Sequence, residues 1–329
     1  MKNHILVTGG AGYIGSHTCK VLAEAGYIPI AYDNLSTGNR WSVKWGPLVE
    51  ADLADGVLLR EVIRKYSVSA VVHFAANAYV GESVVNPRKY FENNASNTLN
   101  LLGAMLDTGI NHIVFSSTCA TYGIPDRIPI SERETQQPIN PYGESKLFIE
   151  RVLRWYSNAY DLNWIALRYF NAAGADLGGE IGEHHDPETH LIPLVIQSAM
   201  GVRPELEIYG MNHPTHDGTP IRDYIHVMDL ADAHLLALEY LKQGGESRAL
   251  NLGTGNGHSV MEVISAVKRI SGLSTPTRPV EKRPGDPPVL VADASRAHQT
   301  INWIPKHKDI HEIVESAWKW HNEKASAYM

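Results

Sequence analysis

The run Ile5-Leu6-Val7-Thr8-Gly9-Gly10-Ala11-Gly12-Tyr13-Ile14-Gly15 constrains this chain more than any other segment. Its β-branched start predicts a strand, the glycines at 9, 12 and 15 a tight turn, and the apolar spacing beyond them a helix over 14–25. Without side chains, such a turn lets backbone amides and a helix N-terminus approach a pyrophosphate. A second β-branched run, Ile28-Pro29-Ile30, leads to Asp33, eighteen residues past Gly15. A carboxylate there accepts hydrogen bonds from a ribose diol and repels a 2′-phosphate, so the expected cofactor is NAD rather than NADP. Asp52 and Leu53, after the third strand, are expected at the adenine edge.

The same alternation continues through Ala70-Val71-Val72-His73-Phe74 and Ile113-Val114-Phe115, with helical spacing over 56–66 and 87–108 between them. Parallel strands need crossover helices, so this pattern predicts βαβ units. A helix after Pro141 and the strand-like run Trp164 to Tyr169 extend the sheet to about residue 170. Beyond it come irregular loops, over 174–187 and 209–219, and helical patterns at 190–201, 228–242, 259–270 and 310–322. The expected fold is therefore α/β: a Rossmann-type doubly wound parallel sheet over 1–171, with a smaller C-terminal α/β lobe over 172–329. Some strand and helix exchange back to the first part is expected, with a ligand cleft between the two.

Composition narrows the partners. A net charge of -7 with 20% charged residues leaves no basic footprint for nucleic acid or an anionic membrane surface. The first apolar run stops at Gly9, too short for a signal peptide core or a membrane span, which makes the cytoplasm the expected location. Only Cys19 and Cys119 are present, so neither a disulfide framework nor a cysteine zinc site is expected. Sixteen histidines include the run Glu183-His184-His185-Asp186, whose spacing fails the helical i, i+4 arrangement that puts two imidazoles on one metal. A solvated loop and no metal are expected there.

Tyr142 and Lys146 open the helix after Pro141, and a spacing of four places phenol and ammonium on one helical face. A phenol with an ordinary pKa of about 10 is a poor base at neutral pH, and a fixed cation beside it favours the ionised form. Such pairs also occur on ordinary helix surfaces. What distinguishes this one is Ser116-Ser117-Thr118 at the end of a predicted strand, twenty-four residues before the tyrosine. Ligands of open α/β sheets sit at those strand ends, where Thr118 completes a proton relay with Tyr142 and Lys146 also holds the nicotinamide ribose.

With these features the chain resembles the extended short-chain dehydrogenase/reductase family, and within it the UDP-sugar 4-epimerases that act on UDP-galactose and UDP-glucose. The likeness runs through Tyr32-Asp33-Asn34-Leu35-Ser36-Thr37-Gly38, His73-Phe74-Ala75-Ala76, Asn140 to Lys146, Arg168-Tyr169-Phe170-Asn171, Arg222 to His226 and Arg283-Pro284-Gly285-Asp286. The resemblance implies tightly bound NAD and inversion at sugar carbon 4 by removal and return of a hydride. It implies a cofactor site made of Gly9, Gly12, Tyr13, Ile14, Gly15, Asp33, Asn34, Ser36, Asp52, Leu53, Phe74, Ala75, Ala76, Asn93, Tyr142, Lys146 and Tyr169. It further implies a substrate site in which Thr118 and Tyr142 meet the sugar, Asn171, Arg222 and Arg283 the diphosphate, Leu191 the uracil and Asp286 the uridine ribose. Arg222 stands next to Asp223, and Arg283 three residues before Asp286, so each also has an acidic neighbour to pair with. Family members pair through two helices per subunit, and the helices over 87–108 and 141–157 are expected to do so here, giving a homodimer.

Three departures stand out. Thr118 replaces a serine and keeps the hydroxyl. Ala78 stands where the family usually has a lysine that contacts the cofactor, and Leu290 where a tyrosine walls off the sugar's 2-position, so N-acetylhexosamine substrates stay open; pentose substrates (UDP-arabinose and UDP-xylose) stay open because the stretches Ser116 to Gly123 and Ala78 to Ser83 also resemble enzymes of that kind. A 4,6-dehydratase needs an Asp-Glu pair after the catalytic hydroxyl, and Cys119-Ala120 stand there instead. A non-catalytic NAD-sensing regulator of the same fold is disfavoured, because both Tyr142 and Lys146 are retained.

Overall fold

A computed structural model of the chain describes residues 3–283 and 285–323. Pro284, in the last of the resemblance runs, lies outside the described residues. The strands are β1 His4–Thr8, β2 Ile28–Asp33, β3 Leu48–Glu50, β4 Val68–His73, β5 His112–Thr118, β6 Asn163–Tyr169, β7 Asn171–Ala173, β8 Leu206–Tyr209, β9 Ile221–His226, β10 Arg248–Leu252, β11 Gly257–Ser259, β12 Thr277–Val280 and β13 Val289–Leu290. The helices are α1 Tyr13–Glu24, α2 Gly56–Tyr66, α3 Val80–Val85, α4 Pro87–Tyr90, α5 Asn97–Thr108, α6 Pro141–Tyr160, α7 Leu191–Ala199, α8 Val227–Lys242, α9 Val260–Ser271, α10 Ser295–Ile301 and α11 Ile310–Glu323.

Seven strands form one parallel sheet in the order β3-β2-β1-β4-β5-β6-β10. Ile5, Leu6 and Val7 of β1 are all fully buried, as a strand covered by helices on both faces requires. Leu59, Leu101, Ile149 and Leu153 of α2, α5 and α6 pack on one face, and Leu22 of α1 with Leu230 and Leu238 of α8 on the other. The strand order reverses between β1 and β4, which opens a crevice at the carboxyl ends of those strands. That crevice is where the glycine turn lies.

The predicted sheet is present and longer, because β10, from beyond residue 172, adds beside β6, and α8 fills a helix position against α1. Most of the rest of the second half builds its own core: Ile192, Val195, Val263, Val267, Ile313 and Val314 of α7, α9 and α11 pack with Leu206, Ile208 and Tyr224. A small sheet, β11-β9-β13 with β7 beside β9, carries Arg222 and Leu290 as paired neighbours.

Two expectations need correction. The helix predicted over 87–108 is not continuous: α4 passes into a π-helical stretch, Phe91–Ser96, before α5 begins. An inserted π turn rotates side chains relative to a regular helix, and here Asn94 turns inward to donate to the Asn77 carbonyl at 2.9 Å and to Ser145 Oγ at 3.1 Å. The loop expected to be solvated is also largely anchored. Ile181, Gly182 and Glu183 are buried, and Trp320 Nε1 donates to the Glu183 carbonyl at 2.9 Å. No helix among the described residues is long and apolar enough to cross a membrane.

Candidate active site

The two halves enclose a cavity of about 630 Å³. Every residue expected at the cofactor and substrate sites lines it, from Gly9 and Asp33 at one end to Arg222, Arg283, Asp286 and Leu290 at the other.

The nucleotide end is built by backbone geometry. Gly9 has φ +72°, and a Cβ there would lie 2.6 Å from the Ala75 amide nitrogen, so the turn can press against the end of β4 only with glycine. Gly12 stands at the N-cap of α1 without a side-chain cap, which leaves the first amides of that helix to an anion. Asp33 ends β2 with its carboxylate accepting from the Ala11 and Leu35 amides at 2.9 and 2.8 Å. Burial raises its pKa and those two amides pull it back. Asp52 accepts from Asn34 Nδ2 at 2.6 Å and from the Ala54 amide at 2.8 Å, and with Leu53 lines this end of the cavity. These features fit a dinucleotide: an uncapped helix start for its phosphates and an oriented carboxylate at the end of the adjoining strand.

Behind the crevice, His73 ties β4 to β1. The Thr98 hydroxyl already donates to the Asn94 carbonyl at 2.6 Å, so it accepts from His73 Nε2 at 2.8 Å, and His73 Nδ1 accepts from the Thr8 hydroxyl at 2.6 Å. Burial pulls the imidazole pKa down to about 3, in keeping with this neutral tautomer.

The catalytic end depends on how α6 starts. Asn140 caps the helix by accepting from the Gly143 amide at 2.8 Å, and Pro141 occupies the first turn. A Cβ on Gly143 would lie 2.5 Å from the Ala120 carbonyl oxygen, so only glycine lets α6 sit against the turn that follows β5. That approach places Tyr142 and Thr118 together in the wall of the cavity, near enough for the Thr118 hydroxyl to bear on the phenol. Burial pushes the phenol up to about 12, and the Thr118 contact opposes the rise.

One helical turn on, Lys146 is 4% exposed, donates from Nζ to the Ser116 carbonyl at 2.8 Å and lies 5.0 Å from the centre of the Phe115 ring. Burial lowers its pKa to about 7. The Ser116 hydroxyl hydrogen-bonds Tyr169, so a single strand end positions both Lys146 and Tyr169. Ser117 turns the other way and donates to buried Glu150 at 2.5 Å, which also accepts from Arg168 at 2.9 and 2.5 Å. This buried pair fixes β5, β6 and α6 to one another beneath the reacting end.

At the far end, Arg222 pairs with Asp286 at 2.6 Å instead of its sequence neighbour Asp223. Asp223 is fully buried and accepts from the Thr254, Gly255 and Ala292 amides. Arg283 meets Asp286 only through the backbone, its carbonyl accepting from the Asp286 amide at 3.2 Å, while its guanidinium stacks 4.0 Å from the centre of the Tyr209 ring. Two guanidiniums and a carboxylate here suit a ribosyl diphosphate. Tyr209 was not anticipated from the sequence, and its only signal was its place at the end of the short run Leu206–Tyr209 before Gly210. Asn171 and Leu191 line the middle of the cavity, and Leu290 packs beside Cys119, Tyr122 and Phe170. Cys19 and Cys119 are buried free thiols.

The profile of the NAD dependent epimerase/dehydratase family matches residues 5–253. A UDP-glucose 4-epimerase from Rhizobium leguminosarum bv. trifolii is 51% identical over 317 residues, covering 96% of this chain and 97% of that protein. The crystal structure of UDP-glucose 4-epimerase from Brucella ovis in complex with NAD superposes with a TM-score of 0.94 at 52% identity, covering 96% of this chain and 97% of that one. The UDP-glucose 4-epimerase from Stenotrophomonas maltophila, solved with NAD and formylated UDP-arabinopyranose, gives a TM-score of 0.95 at 40% identity over 99% of this chain and 100% of that one.

Proposed function

The chain belongs to the NAD dependent epimerase/dehydratase family, and from that premise we propose that it interconverts UDP-galactose and UDP-glucose by reversible oxidation at sugar carbon 4. The observation that carries this reading is the meeting of Thr118, Tyr142 and Lys146 in the same cavity as the glycine turn and the Arg222–Asp286 pair.

NAD, when bound, supplies the acceptance of a hydride from carbon 4 and its later return to the opposite face. The amides at the start of α1 and the Asp33 carboxylate hold it, while Lys146 orients its nicotinamide ribose. Tyr142 takes the proton of the 4-hydroxyl and gives it back to the inverted oxygen. A phenol held near 12 needs help to do so at neutral pH. Where Lys146 holds its proton, up to about pH 7 in the folded chain, its ammonium one helical turn away favours the phenolate, with no carboxylate among the described residues to compensate it. Thr118 donates to the reacting oxygen, and Arg222, Arg283 and Asn171 hold the diphosphate while the oxidised sugar turns. In this reading residues 1–171 bind the cofactor and carry the chemistry, meeting the substrate through Thr118, Tyr142 and Asn171, and 172–329 supply the remaining contacts to the nucleotide sugar.

A homodimer is part of the same reading. Trp155 and Phe148, seven apart on α6, are 74% and 41% exposed, and exposed Val84, Val85 and Phe91 lie on the adjoining α3 and π segments. Light scattering should return twice the chain mass, and a monomer at working concentration would refute it. A cytoplasmic location is proposed as well, to be checked by cell fractionation. For the activity, the purified protein should convert UDP-galactose to UDP-glucose and release NAD on heat denaturation; no conversion even with added NAD would reject the reading.

A further inference from the structure

We propose that Glu183, His185, Glu188 and His190 form a binding site for one structural zinc ion at the rim of the cavity. Each of the four offers one ligand atom, and these atoms all lie within 4.8 Å of one another. The Glu183 Oε1 atom is 2.5 Å from His190 Nδ1 and 3.3 Å from His185 Nδ1, and Glu188 Oε1 is 3.6 and 3.7 Å from the same two nitrogens. Four ligands arranged tetrahedrally about 2.0–2.1 Å from zinc stand about 3.3 Å apart; the separations of 3.3, 3.6 and 3.7 Å lie near that spacing, and the 2.5 Å contact of Glu183 with His190 must open by about 0.8 Å to admit the ion.

A second observation points to an ion rather than to simple His–Glu pairs. Glu183 is 2% exposed, yet its Oε1, though 2.5 Å from His190 Nδ1, makes no aligned hydrogen bond among the described residues, and neither does the buried Nδ1 of His185 3.3 Å away. The two atoms converge without the N–H···O alignment of a hydrogen bond. A buried carboxylate oxygen left this way calls for a positive centre between the ligands. Two imidazoles with two carboxylates suit zinc, and four protein ligands close the shell, which is the pattern of a structural site.

The four side chains are also held in place beforehand. Trp320 anchors the Glu183 carbonyl, Asn39 Nδ2 donates to the His184 carbonyl at 3.1 Å, and Glu188 Oε1 accepts from the Thr189 and His190 amides at 2.7 and 2.9 Å. The spacing of two, three and two residues along a loop matches no helical motif, so the sequence run at 183–186 showed only half of the set. His185, Thr189 and His190 line the cavity, and Leu191 begins α7 immediately after them. The ion therefore pins the loop that leads into the uridine end of the site and cancels two carboxylate charges beside a cavity that must admit a diphosphate.

The test uses the full chain purified without a histidine tag. Elemental analysis should find about one zinc per chain; a chelator should remove it and lower the melting temperature, and added zinc should restore both. The double variant His185→Ala/His190→Ala, checked by far-UV circular dichroism, should hold no zinc and melt at the same temperature with or without chelator. Crystals of the unaltered protein equilibrated with zinc should show an anomalous peak among the four side chains, which decides the matter even if the variant does not fold. No zinc uptake by the unaltered protein, equal uptake by the folded double variant, or no anomalous peak would each overturn the proposal.

Discussion

Lys146 Nζ donates to the Ser116 carbonyl oxygen at 2.8 Å, inside a wall that leaves the side chain only 4% exposed. The folded pKa of about 7 lies below the ordinary lysine value of about 10.4. Across that window the unfolded chain holds a proton that the folded chain does not, so folding stability rises with pH between these limits. The cost of the buried ammonium is full below pH 7 and fades as pH approaches 10. Lys146→Met should therefore stabilise the protein by about 1–2 kcal/mol at pH 7, with a gain that shrinks at pH 9, while turnover is lost. Urea unfolding of both proteins at several pH values measures this. A variant less stable than the parent at pH 7 would show that the lysine contributes to the fold.

Tyr142→Phe removes the proton acceptor and leaves the helix start intact. Turnover should fall by roughly 10² to 10⁴ while bound NAD is unchanged, because the loss concerns one proton transfer. Thr118→Val should cost less than Tyr142→Phe, since the Thr118 hydroxyl assists the phenol. Steady-state rates alongside the NAD content of each preparation separate loss of chemistry from loss of cofactor.

Gly9→Ala acts on the cofactor instead. With φ +72° and a new Cβ at 2.6 Å from the Ala75 nitrogen, the turn must open, at a cost of about 1–2 kcal/mol in stability. The variant should be purified with far less NAD than the parent. Retention of the full complement would mean that the turn does not hold the pyrophosphate.

Leu290 lines the cavity and is paired across β13 and β9 with Arg222, and in the proposed reading it bounds the space around the sugar. Leu290→Tyr should lower kcat/KM for UDP-N-acetylgalactosamine at least about tenfold more than for UDP-galactose, because a larger ring occupies the space an acetamido group needs. Competition assays with both sugars measure the ratio.

Local signals carried the nucleotide half of the site. Gly9, Gly12 and Asp33 do their work through backbone conformation and position at strand ends, and both are written in short-range pattern. The Tyr142 and Lys146 pair was legible because helical period alone puts them on one face. The pairing of Arg222 with Asp286 was not, because β9 and the segment after β12 meet only through tertiary packing. The break at Phe91–Ser96 was hidden too: its residues suit a regular helix, and the π turn arises from Asn94 satisfying Asn77 and Ser145. Glu183 and His190 likewise come together only because the loop folds back beneath Trp320.

Reversible oxidation at carbon 4 is tested most directly with UDP-galactose carrying deuterium at that carbon, turned over in ordinary water without added cofactor. If Tyr142 moves only the hydroxyl proton and a hydride leaves and returns within the closed cavity, the UDP-glucose formed keeps the deuterium at carbon 4. Loss of the label to solvent would contradict hydride return and point to proton exchange at carbon instead.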